Sequence, residues 1–285
     1  MIAECWELKN NQGTRCSFKK VDFDETREKD NLLSVLDDIE YRYSYYEDDI
    51  DHAIDGHADF PDLESRNNYL RDKYRNIEAL CAWLKSTDTE SITGEDLPEP
   101  VIYGSKTYTK DDRDYRLAKF RNEFTQHFDP DYCYIYFIMT ELILGYDSRG
   151  KNMMLGTWGP KSETGDYIWF PIFYDVDTQL GVNNSGVPTW EYDTDATEKA
   201  QFSTNDSVLW NNLWSEFKTE IKNRYIELRK KLLTIENLNG FYDFDPAISK
   251  SYAMKGVRPL VAYNIDEYYK YIDPAFRGYI NTEGK

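Results

Sequence analysis

Asp147 and Asn152 stand in the segment Gly145-Tyr-Asp-Ser-Arg-Gly-Lys-Asn152, spaced Asp-x-x-x-x-Asn. In phosphoryl transfer that spacing lets an aspartate orient or deprotonate the attacking hydroxyl, while the asparagine holds a metal ion on the nucleotide phosphates. Two further carboxylates follow in Trp169-Phe-Pro-Ile-Phe-Tyr-Asp175-Val-Asp177-Thr-Gln-Leu-Gly181. Magnesium takes hard oxygen ligands, usually one or two carboxylates plus phosphates and water. Asn152 offers an amide oxygen without charge, and Asp175 offers the stronger metal ligand. In a regular strand Asp177 points the same way as Asp175, because side chains alternate. Arg149 and Lys151, inside the Asp147–Asn152 stretch, either steady the loop or meet a phosphate.

Other chemistries fit less well. Asp and Asn also cap turns, so an isolated Asp-x-x-x-x-Asn is commonly a loop start. The second acidic pair is what favours a site. A calcium loop beginning at Asp175 fails, because it needs glycine at its sixth position and glutamate at its twelfth. Those positions hold Leu180 and Gly186. No Gly-x-Ser-x-Gly occurs, and His52, His57 and His127 are scattered. The four cysteines form no Cys-x-x-Cys pair, which excludes a zinc ribbon. Cys81 and Cys133 lie in apolar helical patterns and read as buried thiols. Cys5 and Cys16 flank an expected hairpin and are placed to pair, although the reduced state is the default.

The elements that must position these residues follow from periodicity. Residues 2–8 and 15–20 alternate and predict a hairpin, so the chain opens in a strand and a longer parent polypeptide is expected. Helical spacing is predicted over 25–40 and from Asp62 to Lys85. Residues 41–62 read as an exposed loop, and 86–108, with Pro98 and Pro100, as a long connection. A helix is predicted from Asp111 to His127, with Leu117, Phe120, Phe124 and Phe128 along one side. Asp129-Pro130 then restarts a helix over 130–144, apolar nearly all round and expected to be buried, which Gly145 ends. Met153–Trp158 and Tyr167–Tyr174 predict paired strands, and Ser207–Leu233 a long amphipathic helix. Residues 182–206 read as a surface loop, and 262–280 are expected to pack back on the core. The fold class is therefore α+β, mainly helical, in one domain over 1–285. Its parts are an N-terminal region (1–61), a helical core with the site (62–206) and C-terminal helices (207–285).

Composition narrows the partners. Hydrophobic residues make up 40% and aromatic residues 16%, enough for a folded core. The net charge is −18, from 34 basic and 52 acidic side chains. That balance disfavours nucleic acid and anionic membranes, both of which need basic surfaces. No stretch reaches 18 apolar residues, so no membrane span is predicted. The N-terminus lacks the basic and apolar regions of a signal peptide.

Residues 128–186 resemble the CotH family, spore-coat kinases of a divergent protein-kinase-like fold. The resemblance rests on the apolar run from Phe128 to Gly145, the Asp147–Asn152 loop and the Trp169–Gly181 segment. It implies a kinase-like large lobe, with Asp147 as catalytic-loop aspartate, Asn152 and Asp175 as metal ligands and Asp177 beside them. Mg2+ and ATP are the cofactors it implies. The nucleotide-binding small lobe is expected to be reduced or missing, because no glycine-rich phosphate loop precedes the site and only residues 1–20 read as strands there. Glu4–Asn11, Tyr115–Phe124, Gly181–Gly186 and Asn205–Leu213 further resemble CotH-like domains in large bacteriophage tail and virion proteins. That implies a virion location after synthesis in the bacterial cytoplasm, other virion proteins as partners and a structural or assembly role. An active Ser/Thr protein kinase and a host-surface or carbohydrate binder are the alternatives.

Overall fold

A computed structural model describes residues 4–8, 39–41, 63–143, 148–149, 152–160, 167–174, 207–234 and 237. Within them the chain is α+β, with long helices and small antiparallel sheets, as expected. The strands are β1 (Glu4–Leu8), β2 (Ile39–Tyr41), β3 (Asp96–Tyr103), β4 (Lys106–Lys110), β5 (Met153–Pro160) and β6 (Tyr167–Phe173). The helices are α1 (Leu63–Ser86), α2 (Arg113–His127), α3 (Pro130–Leu142) and α4 (Val208–Lys231).

The chain divides into two compact units. The first comprises Met1–Cys133, Ser148–Asp175 and Thr204–Phe217, and the second Tyr134–Asp147, Val176–Ser203 and Lys218–Lys285. In the second unit, Tyr136, Phe137, Ile138 and Leu142 of α3 are buried, as are Ile221 and Tyr225 of α4. α4 departs from helical geometry at Phe217, with φ −119° and ψ 20°.

The first unit holds a four-stranded sheet in the order β2-β1-β5-β6. Residues 15–20, the second strand of the predicted hairpin, lie outside the described residues. One edge of β1 is taken by β5, from Glu4↔Thr157 to Leu8↔Met153, and the other by β2, from Trp6↔Tyr41 to Leu8↔Ile39. A strand has only two edges, so the N-terminal strand joins the sheet that carries the candidate site. Ile39 accordingly lies in a strand, not in the predicted helix; residues 25–38 lie outside the described residues. β6 carries Pro171, which cannot donate to a ladder and is tolerated because β6 is an edge strand among the described residues.

Residues 86–108 are not a plain connection. They contain β3, which forms a hairpin with β4 through Gly104-Ser105. Gly104 has φ +60°, as the first turn position of a two-residue hairpin loop demands. The register shifts between Asp96 and Val101, the stretch that holds Pro98 and Pro100. Those prolines made the stretch read as a loop.

The core of this unit is aromatic. The predicted stripe on α2 is present, with Phe120, Phe124 and Phe128 wholly buried. Phe124 lies 5.1 Å from Phe120, 5.4 Å from Phe128 and 5.0 Å from Phe217 of α4. Trp83 of α1 stacks on Phe120 at 5.4 Å, and its indole donates to Glu123 at 2.9 Å. Ile77, Leu80, Cys81 and Leu84 form the buried face of α1. Asp112 caps α2 by accepting from the Tyr115 N–H at 2.8 Å. Asp129 caps α3 as predicted, accepting from Asp131 and Tyr132 at 3.0 and 3.2 Å.

Gly156, in the middle of β5, shows how tightly the sheet is covered. A Cβ there would lie 2.8 Å from Ile172 Cδ1 and 3.0 Å from the Phe170 ring. Gly156→Val is expected to destabilise the protein by about 1–3 kcal/mol through overpacking. Urea unfolding would show it as a lower midpoint with an unchanged slope.

Candidate functional site

Of the six residues singled out in the sequence, Arg149 and Asn152 are described. Asp147, Lys151, Asp175 and Asp177 lie outside the described residues. Ser148 and Arg149 form a buried turn, 2% and 5% exposed. Burial obliges turn carbonyls to find donors. The Arg149 carbonyl accepts the indole Nε1–H of Trp210 at 3.1 Å. Trp210 lies in the first turn of α4 and is fully buried.

Asn152 is half-buried and has φ +55°, in the left-handed region. Asparagine tolerates that region better than most non-glycine residues. The turn delivers the chain into β5, where Met153 and Leu155 are buried. Met153 pairs with Phe173 of β6. Asn152 directly precedes Met153, and Tyr174 directly follows Phe173. Asn152 and the residue before Asp175 therefore leave the same end of the β5–β6 hairpin.

The hairpin is anchored near the start of β6. Asp129 N–H donates to the Trp169 carbonyl at 2.9 Å, beside a parallel bridge from Phe128 to Trp169. At the far end of β5 the register shifts between Thr157 and Pro160, with Gly159 at φ +101°. This bulge leaves Trp158 58% exposed, stacked on Phe170 at 4.9 Å.

An amide and carboxylates are hard oxygen donors of the kind magnesium takes, and of the three residues expected to supply them Asn152 alone is described. Among the described residues, no three His, Cys, Asp or Glu side chains are grouped to hold a metal. Thiol chemistry at Cys133 is disfavoured, because complete burial pushes that thiol well above its ordinary range. Cys5 is buried, with Sγ donating to Met154 Sδ at 3.7 Å; its expected partner Cys16 lies outside the described residues. No helix among the described residues is long and apolar enough to cross a membrane.

The hairpin that follows Asn152 and ends just before Asp175 is the arrangement the sequence resemblance implied. Residues 106–244 match the family model of the CotH kinase protein. The matched segment runs from β4 past α4, includes all six candidate residues and covers just under half of the chain. It supports a CotH relationship and, with it, a kinase-fold protein. No curated protein and no solved structure matches the chain, so the resemblance to phage virion proteins gains no support from these comparisons.

Two contributors were missed in the sequence. Trp210 read only as an apolar position of an amphipathic helix. Arg116 was not singled out, yet it is 9% exposed, bound to Asp111 and donating to the Lys85 and Asp88 carbonyls. Neither role has a local signal, because the Arg149 carbonyl reaches Trp210, and the Lys85 and Asp88 carbonyls reach Arg116, only through the fold.

Proposed function

We propose that the chain is a CotH-like kinase-fold domain that binds Mg-nucleotide through Asn152 and Asp175, with Asp147 facing the phosphate acceptor. The observation that supports this is the Met153↔Phe173 register, which brings the chain on either side of the metal ligands to one end of one hairpin. Magnesium, when bound, neutralises phosphate charge. Asn152 contributes an amide oxygen, Asp175 a carboxylate, and Asp177 a second charge nearby. Arg149 and Lys151 flank the phosphates or the loop. The Asp147 carboxylate accepts the proton of an acceptor hydroxyl as that oxygen bonds to the γ-phosphorus. The bond from phosphorus to the bridging oxygen breaks, and ADP keeps the electron pair.

Thermal unfolding of the full chain with Mg-ATP tests binding. Ligand at about 100 times its dissociation constant stabilises a protein by about 2.7 kcal/mol, so a rise in melting temperature is expected. Asp175→Ala is expected to abolish that rise while leaving the apo melting temperature near the parent value. A parent protein that shows no Mg-ATP-dependent rise at millimolar ligand would remove the reading.

The domain's setting is a phage virion in this proposal, as an assembly module among other virion proteins or within a longer polypeptide. The resemblance of residues 4–11, 115–124, 181–186 and 205–213 supports it. A second reading, a carbohydrate or host-surface binder, is favoured by one observation. Trp158 and Tyr132 are 58% and 48% exposed, with the Phe170 ring in contact with both, at 4.9 and 5.2 Å. Glycan-array binding lost in Trp158→Ala would support it, and an array without hits would remove it.

A further inference from the structure

The Arg149 carbonyl and the Trp210 indole are 61 residues apart in sequence and joined by one buried hydrogen bond of 3.1 Å. Indole N–H groups seek partners when buried, and so do the carbonyls of a buried turn. This bond meets both needs at the middle of the candidate loop. The donor is itself held firmly. Ser207 begins α4, its Oγ accepting the Trp210 N–H at 3.4 Å and its carbonyl the Asn211 N–H at 3.0 Å. Two residues after Trp210, the Asn212 side chain donates to the Thr87 carbonyl at 2.9 Å and to its Oγ1 at 3.3 Å. Asn212 is 3% exposed and Thr87 fully buried, at the C-terminal end of α1. The end of α1 thus fixes the first turns of α4, and α4 fixes the Ser148-Arg149 turn. On the other side of that turn the chain reaches Asn152 in its left-handed conformation and enters β5.

We propose that Trp210 is a positioning residue for the Ser148-Arg149 turn: its indole N–H is a strut, braced on α1 through Asn212, that fixes the turn ahead of Asn152. The proposal rests on the Mg-nucleotide reading for its functional meaning and on geometry alone for the strut. Trp210 touches no substrate in this account; it acts through the Arg149 main chain. The helix is apolar along its buried face, so phenylalanine or leucine would fill the core at this position. Only tryptophan among the apolar side chains adds a ring N–H donor.

Amide hydrogen exchange on the full chain separates the strut from the site. Trp210→Phe keeps an aromatic ring and removes the donor. Loss of one buried hydrogen bond corresponds to roughly a tenfold change in a local opening equilibrium. Exchange in peptides covering 148–153 is therefore expected to speed up about tenfold, with the Mg-ATP affinity falling in step. Trp83→Phe is the control: it also removes a buried indole, but one that donates to Glu123. It is expected to leave exchange over 148–153 within twofold of the parent. Replacing the Trp210 indole by its benzothiophene isostere serves if Trp210→Phe does not fold, since only N–H becomes S. Unchanged exchange over 148–153 in both Trp210 variants would overturn the proposal, as would equal acceleration in Trp83→Phe. If the parent binds no Mg-ATP, the nucleotide reading fails, and the exchange result still decides whether the strut exists.

Discussion

Arg116→Ala is expected to remove about 3–5 kcal/mol of unfolding free energy, the usual result of taking one partner from a buried ion pair. The Arg116 Nε and Nη2 atoms donate to the two Asp111 oxygens at 2.7 and 2.5 Å, while Nη1 donates to the carbonyls of Lys85 and Asp88 at 3.0 and 3.2 Å. The two side chains are 11% and 13% exposed. One guanidinium thus ties the end of α1 to the junction of β4 and α2. Lysine presents no planar fork, so Arg116→Lys is expected to recover only part of the loss. The exposed Lys106–Asp114 pair, at 2.9 Å with both side chains more than half exposed, is the contrast. Its removal is expected to cost at most about 1 kcal/mol. The pH dependence has a definite sign. The Arg116 hydrogen bonds hold the Asp111 carboxyl below its ordinary range. Its contribution is complete above the unfolded-state value of about 3.9 and is lost as the pH falls through the lower folded value. Urea unfolding at pH 7 and pH 3 would therefore show a smaller difference between parent and Arg116→Ala at the acid end. An equal difference at both pH values would contradict the assignment.

Asp147→Asn carries the second large effect, under the proposed phosphotransfer reading. A positioned general base contributes roughly 10²–10⁴-fold to rate. Transfer of label from ATP to a Ser/Thr acceptor is expected to fall by that factor, while Mg-ATP stabilisation persists, because Asn152 and Asp175 remain. Asp175→Ala is expected to lose both. These two patterns separate an acceptor-side aspartate from a metal-side one. If the parent binds Mg-ATP but transfers nothing to protein, water or itself, an assembly role with Mg-nucleotide binding stands and the kinase version falls.

What the residues disclosed in advance was mostly periodic. Phe120 and Phe124 of α2 with Phe128 at its C-cap, the Asp129-Pro130 start of α3 and the paired strands at Met153 and Tyr167 each follow a local rule, and each is present. β3 did not follow its rule, because two prolines and a glycine look like a loop until a partner strand is known. β1 was legible as a strand but not as a neighbour of β5, since the separation between Leu8 and Met153 hides the pairing. The spacing of Asp147 and Asn152 suggested a site. The turn that supports it depends on Trp210, and an indole in an amphipathic helix looks the same whether or not its N–H has work to do. Arg116 drew no notice for the same reason: it differs from Arg113 only in what the fold brings next to it.

The β3–β4 ribbon has a consequence for the protein in a crowded solution. Among the described residues its two strands pair only with each other, which leaves backbone on both outer sides able to recruit another chain. Ile102, 68% exposed, would make such recruitment sticky. Pro98 and Pro100 withhold two donors from any incoming strand, the register shift beside them bends the template, and Lys106 and Lys110 bring charge to the other side. The same prolines that disguised the strand in the sequence thus keep the ribbon from seeding aggregates. Pro98→Val together with Pro100→Val would make a flatter strand at the expense of solubility.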